Sequence, residues 1–303
     1  MKVIIHGLGR MGMQIARKLS EDHHTVIAHN RSQDKINEAG GFGAVKAATK
    51  EEAVAASDED TILWIMLPAD VVDSQVDQWM PLLPPKSIII DGGNSDFRLT
   101  RKLSDRVKQH GFELIDIGVS GGVWGYDNGF SMMCGGNDHA SFAKITPLLD
   151  SLAKPEGAYD YFGGSGSGHF VKMVHNAIEY GMMESLAEGY RVLKDGPYQG
   201  IDLAAAGNVW QHHSVITSWL NELCRDILKD NPELIGIDGY VAENGETRWT
   251  LETAQAAKIP LPAIQAAMDV RIASQKGQVN FATQLLAAMR NRFGGHQLNH
   301  SNE

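Results

Sequence analysis

Between Gly168 and Tyr180 the chain reads GHFVKMVHNAIEY, and its polar residues fall where an ordinary surface helix does not put them. At about 100° per residue, Gly168, Lys172, His175, Asn176 and Glu179 share one arc, and Phe170, Val171, Val174, Ala177 and Ile178 take the opposite one. Carried onward, the arc of Lys172 and Glu179 holds Met183, Leu186, Tyr190 and Leu193, while Glu184, Glu188 and Arg191 move round to another side. A polar stripe that turns apolar after two turns suits a cleft better than a solvated surface. Lys, His and Glu are the side chains that move protons, so proton transfer is the chemistry such a cleft could host. The same residues also suit a plain charged helix face with a lysine and a glutamate two turns apart.

A helix of this kind needs a scaffold to set it against a reactant, and the N-terminal half supplies one. MKVIIHGLGRMGMQIARKL is a short β-rich run, then Gly7, Gly9 and Gly12 in GxGxxG spacing, then an amphipathic helix over 11–19. In that context the first glycine permits the tight turn, the second lets the backbone approach a pyrophosphate, and the third lets helix and strand pack closely. The next strand, over 25–29, ends in Asn30-Arg31-Ser32 without the acid that holds a ribose 2′-hydroxyl in NAD enzymes. Arg31 can pair with a 2′-phosphate and stack on adenine, and Asn30 and Ser32 offer neutral hydrogen bonds, so NADP is expected, with NAD possible.

Helices are expected over 33–39, 50–56 and 71–80, and a buried strand over 61–67 ends at Pro68. Its tip, Met66, Leu67 and Pro68, joins Leu8, Arg10 and Met11 in the expected cofactor set. Strands over 87–91 and 112–117 run into Gly92-Gly93-Asn94-Ser95 and Val119-Ser120-Gly121-Gly122. Ligands of open α/β sheets bind at such strand ends, which places Asn94 and Ser120 to meet substrate or nicotinamide; turn chemistry alone also explains the glycines. After a strand over 130–134, a helix over 140–152 and an extended piece over 160–162, the glycine-serine run 163–168 marks a boundary. Beyond it strand signals fade, and helices are expected over 168–194, 199–229, 249–258 and 262–291. The expected architecture is a Rossmann-type doubly wound α/β domain, 1–163, followed by an all-α domain, 164–303.

At 303 residues, with 43% hydrophobic and 21% charged residues, the chain suits two globular domains without disulfides or metals. A net charge of -10 speaks against a nucleic-acid surface and gives no reason to expect a membrane partner, so an anionic substrate needs a local basic pocket. Cys134 and Cys224 form no metal or redox spacing, and the first apolar run, 3–5, is too short for a leader, so a reduced cytoplasmic protein is expected. His23-His24 and His212-His213 are adjacent pairs that do not face one another on regular structure, and no metal site is expected.

Taken in order, the glycine loop, Asn30-Arg31, Asp91-Gly92-Gly93-Asn94-Ser95, Val119-Ser120-Gly121-Gly122, the stretch from Gly168 to Tyr180 and Arg248-Trp249-Thr250 closely resemble the decarboxylating 6-phosphogluconate dehydrogenase family, in its short form with one helical unit. The resemblance implies Lys172 as general base and Glu179 as general acid. It implies that Asn176 holds the 3-hydroxyl, with Asn94, Ser120, Gly121, Gly122, His175 and Tyr180 fixing the sugar acid. It further implies a phosphate site of Tyr180, Arg271 and, from a neighbouring subunit's tail, Arg290 with His296, in a homodimer or homotetramer. One departure is Asn244, which stands where long-form members carry a phosphate-binding lysine; Arg248 is the nearby residue that could compensate. The implied reaction converts 6-phospho-D-gluconate to D-ribulose 5-phosphate and carbon dioxide. Two other readings fit the chain: another β-hydroxyacid dehydrogenase acting on an unphosphorylated acid such as gluconate, or a non-catalytic NADP-binding regulator.

Overall fold

Runs rich in Ile, Val and Trp alternate with amphipathic helices through the first half of the chain, and they fold as a sheet covered on both faces. The structure is a computed structural model that describes residues 1–295. It separates into a unit spanning Met1–Met173 and a second beginning at Val174. The glycine-serine run expected to mark the boundary lies just ahead of that division.

The first unit holds strands β1 (Lys2–His6), β2 (Thr25–His29), β3 (Val45–Ala47), β4 (Ile62–Ile65), β5 (Ile88–Asp91), β6 (Glu113–Ser120), β7 (Ser131–Gly136) and β8 (Ala158–Tyr161). They form one sheet in the order β3-β2-β1-β4-β5-β6-β7-β8. Strands β1 to β6 are parallel, β7 is antiparallel to β6, and β8 is parallel to β7. Alternation along each strand splits the core in two: Val3, Ile5, Trp64 and Ile90 pack on one face, and Ile4, Ile27, Leu63 and Ile89 on the other. Because the chain winds outward from β1 in one direction and from β4 in the other, the strand order reverses between them, and the crevice beyond their carboxyl ends is the ligand position of such folds.

The covering helices are α1 (Arg10–Glu21), α2 (Gln33–Gly40), α3 (Lys50–Ala55), α4 (Ala69–Trp79), α5 (Phe97–Gln109), α6 (Gly125–Asn128) and α7 (His139–Ala153). Neither β3 nor α5 is among the sequence expectations. Helix α5 does carry a readable signal, an Asp96 N-cap followed by buried Thr100, Leu103 and Val107 at helical spacing.

Beneath the crevice, His6 and His29, the last residues of β1 and β2, stack at 5.0 Å and both meet Trp79 edge-on. Burial, then the neighbouring His29, pushes His6 down to about 4 from an ordinary 6.5. The folded state therefore keeps His6 neutral while the unfolded chain takes up a proton near pH 6.5. Its stabilisation is complete above that pH and is lost as pH falls toward 4, about 3 kcal/mol in all. Denaturant unfolding between pH 7 and pH 4 should show this loss, and His6→Asn should flatten the slope. An identical slope in the variant would show that His6 is not the group responsible.

Helix α8 (Ser167–Asp195) is continuous across the division. The second unit contains most of it, together with α9 (Leu203–Gln211), α10 (Trp219–Asp230), α11 (Glu246–Ala256), α12 (Pro262–Ser274) and α13 (Phe281–Gly294). Its core includes Met183, Tyr190, Leu223, Ile227, Leu285, Leu286 and Met289. Two of the four long helices expected from sequence are each broken in two. The 199–229 run stops at Gln211, His213 takes φ +62°, and Ser218 restarts the helix by accepting the Asn221 amide. The 262–291 run stops at Ser274, Gly277 takes φ +85°, and Asn280 with Thr283 forms a capping box that opens α13. In both places continuous apolar periodicity hid a polar capping residue.

No described helix is long and apolar enough to cross a membrane. Cys134 and Cys224 are free thiols buried in separate cores.

Candidate active site

The glycine loop between β1 and α1 has the geometry a dinucleotide requires. Gly7 sits at φ +105°, and a Cβ there would lie 2.5 Å from the Met66 carbonyl oxygen. At Gly12 a Cβ would stand 2.0 Å from the Gly7 carbonyl oxygen, so helix and turn approach as closely as backbone allows. Gly9 differs: it is exposed, caps α1, and has no heavy atom within 4 Å of its absent Cβ. That open space at the positive end of a twelve-residue helix fits a pyrophosphate.

Leu8 donates its amide to Asn30 Oδ1 at 3.1 Å, which ties the loop to the end of β2. Asn30 thus holds the tip in shape, and Arg31 and Ser32 stand exposed just past it. Arg10 and Met11 open α1, Met66 and Leu67 follow β4, Pro68 caps α4, and Asn94 is exposed after β5. Every residue of the expected cofactor set therefore lies at the carboxyl edge of the parallel strands or on the first turn of α1.

Lys172 is placed by contacts that sequence reading did not find. Asp116, fully buried in β6, accepts the Gly166 amide at 2.7 Å through Oδ1 and the His169 amide at 3.0 Å through Oδ2, gripping the start of α8. Gly168 lies so close to β6 and β7 that a Cβ would meet the Met133 carbonyl oxygen at 2.4 Å. At Gly118 a Cβ would stand 2.2 Å from Lys172 Cβ, so only glycine lets the lysine lie across β6. Thr100 Oγ1 and His169 Nδ1 hydrogen-bond at 2.8 Å, and Phe97 packs edge-on to Phe170, which fixes the same turn against α5. Lys172 is consequently 6% exposed, over the strand that ends at Ser120. Gly121 and Gly122 follow with φ +127° and +54°. Asp116 and Gly118, set among the apolar residues in the middle of the strand ELIDIGVS, were the available signals.

In the second unit Asn176 is held at both ends of its amide. His175 Nδ1 hydrogen-bonds its Oδ1 at 2.9 Å, and its Nδ2 donates to Glu246 Oε1 at 3.2 Å. Glu246, buried on α11, is a further site residue absent from the sequence expectations. Glu179 is half-buried on the same helix, seven residues past Lys172. On the apolar arc Phe170 and Ile178 are exposed while Ala177 is fully buried, and on the polar arc Lys172 and Asn176 are buried.

Tyr180 and Arg271 form the centre of a basic cluster. The Arg271 guanidinium lies 3.4 Å from the Tyr180 ring centroid and donates to the Ala242 carbonyl at 3.3 Å. The Asn244 amide donates to Tyr180 Oη at 3.3 Å, and Arg290 Nη2 donates to Asn244 Oδ1 at 3.0 Å. Arg271 is 0% exposed and Arg290 6%, yet neither has a carboxylate at ion-pair distance among the described residues. Burial, opposed by Tyr180, pulls Arg271 down to about 10, and burial lowers Arg290 as well. Burial raises the Tyr180 phenol, which keeps it a proton donor.

Arg290, attributed by resemblance to a neighbouring subunit's tail, is bonded to Asn244 of its own chain. Arg248, the residue named as able to compensate for the missing lysine, is exposed and paired with Glu243. Asn244 itself bridges Tyr180 and Arg290. His296 lies outside the described residues.

Residues 2–164 match the family model described as the NAD binding domain of 6-phosphogluconate dehydrogenase, and residues 168–289 match its C-terminal domain. The chain is 33% identical over 300 residues to the NAD(+)-dependent, decarboxylating 6-phosphogluconate dehydrogenase of Haloferax volcanii, with 98% of each covered. Against the decarboxylating 6-phosphogluconate dehydrogenase of Synechococcus elongatus it is 34% identical, spanning 93% of this chain and 63% of that longer one. Among solved structures, the 6-phosphogluconate dehydrogenase of Plasmodium falciparum, described in its apo form and in complexes with its cofactor NADP+ and its substrate 6-phosphogluconate, matches with a TM-score of 0.81. That match is 26% identical and covers 100% of this chain and 67% of the other.

Proposed function

Because the chain belongs to the 6-phosphogluconate dehydrogenase family, and is an NAD(P)-dependent enzyme of that type, we propose that its own substrate is 6-phospho-D-gluconate, oxidised and decarboxylated to D-ribulose 5-phosphate. The observation that carries the phosphate is the pair of buried, carboxylate-free guanidiniums at Arg271 and Arg290. Burying two like charges without a counter-ion costs several kcal/mol for each, and a phosphate dianion offsets that cost. Tyr180 adds a phenolic donor beside them.

In this reading Lys172 takes the proton of the C3 hydroxyl. The nicotinamide dinucleotide supplies the acceptor for the C3 hydride. The resulting β-keto acid loses carbon dioxide, which leaves an enediol, and Glu179 delivers the proton that C1 needs. Lys172 and Glu179 lie two turns apart on one continuous helix and so face the same way. Asn176, its amide fixed by His175 and Glu246, orients the hydroxyl to be oxidised, and Asn94, Ser120, Gly121 and Gly122 bind the rest of the sugar acid. Lys172 must be neutral to act, and burial favours that form of a lysine.

The test is to incubate the protein with 6-phosphogluconate and either cofactor and to follow reduced nicotinamide and released carbon dioxide together. Equal amounts of the two are expected. Turnover of gluconate without turnover of the phosphorylated acid would assign the enzyme to an unphosphorylated substrate.

Arg31, exposed beyond the tethered Asn30, is proposed to hold the 2′-phosphate of NADP. Arg31→Ala should raise KM for NADP about tenfold or more and leave KM for NAD within about twofold, since one charged hydrogen-bonding group is worth about 1.5–3 kcal/mol. Equal losses for both cofactors would remove Arg31 from that role.

A further inference from the structure

Glu184 lies one turn past Tyr180 on α8 and is 6% exposed, yet its Oε2 has no hydrogen-bond partner among the described residues. An ionised carboxylate left in that condition is strongly disfavoured. Arg271 is its mirror: fully buried, with Nε unpartnered and its guanidinium turned over the Tyr180 ring instead of onto an acid. Two groups able to carry opposite charge thus share one interior without forming an ion pair. The charged groups facing Glu184 are Glu188 on its own helix and Arg271 on α12. Arg271 in turn faces Arg290 on α13 and Tyr180 and Glu179 on α8.

We propose that Glu184 is a positioning residue for the phosphate of the substrate: it must be neutral for Arg271 to present its full charge, so substrate binding is coupled to a proton held on Glu184. The proposal rests on the phosphate site described above. Burial, then Glu188, holds the Glu184 carboxyl up to about 7, against the pull of Arg271. A phosphate dianion on Arg271 screens that pull and favours the protonated acid further. As pH rises past neutrality Glu184 ionises, competes for Arg271 and repels the dianion, so the affinity for substrate falls. The second ionisation of the phosphate, near pH 6, runs in the opposite direction but acts equally on any variant.

The experiment compares the unaltered protein with Glu184→Gln, which is neutral at every pH and close in shape. Between pH 6.5 and 8.5, KM for 6-phosphogluconate should rise about fivefold in the unaltered protein, a modest electrostatic effect between groups several ångströms apart. In Glu184→Gln it should change less than about twofold, with kcat within about twofold throughout. Inhibition by inorganic phosphate should follow the same two profiles. A Gln variant that loses its circular dichroism is replaced by Glu184→Met, which is also neutral. Coincident pH profiles in a folded variant, or a fall in kcat with KM unaltered, would overturn the proposal while leaving the phosphate reading in place. An unaltered protein that does not turn over 6-phosphogluconate would overturn both.

Discussion

Lys172→Ala should lower kcat by at least about 10²-fold while changing KM for 6-phosphogluconate much less, the signature of a lost general base. The structure makes the expectation specific. The stem of Lys172 lies directly over Gly118, where a Cβ would meet Lys172 Cβ at 2.2 Å, and Asp116 fixes the turn from which the stem departs. Truncation removes the amine without disturbing either contact, so folding should be retained and circular dichroism unchanged. Turnover near that of the unaltered protein would show that some other group takes the C3 proton.

The second large effect is expected at the opposite end of the substrate. Arg290→Ala should raise KM for 6-phosphogluconate by about 10- to 100-fold, because it removes a charge-assisted, bidentate-capable partner of a phosphate. The change in kcat should be smaller, since the reacting carbons are not touched. The variant leaves Asn244 Oδ1 without its donor, a modest loss, and relieves the burial of an uncompensated cation. Turnover of gluconate, which lacks the phosphate, serves as the internal control: its kinetic constants should move far less. An unchanged KM for the phosphorylated acid would disconnect Arg290 from the phosphate and weaken the argument built on the pair of guanidiniums.

Much of the nucleotide unit could be read directly from residue order. The GxGxxG spacing, the strand before it and the helix after it are local features, and φ +105° at Gly7 and the open space at Gly9 follow from the same few residues. The missed elements were those whose signals are weak or interrupted. Strand β3 has three residues, of which only Ala47 is buried. The breaks at His213 and Gly277 depend on single left-handed residues in runs that otherwise keep helical periodicity. Asp116 and Gly118 are ordinary letters in a strand until α8 is laid against them.

The polar stripe from Lys172 to Glu179 was determined by the sequence itself, because the helical period decides which residues share a face whatever lies opposite. The tertiary structure alone decided what surrounds that stripe. Tyr180, Asn244, Arg271 and Arg290 come from separate segments of the second unit, and no spacing rule links them. Their assembly joins Arg290, expected from the tail of a second subunit, to Asn244 of the same chain, and joins Asn244 to Tyr180. Glu184 shows the same limit in one residue. Helical phase moved it away from the stripe, but only packing against α12 could make it a buried acid beside an unpaired arginine, since burial depends on neighbours that are distant in sequence.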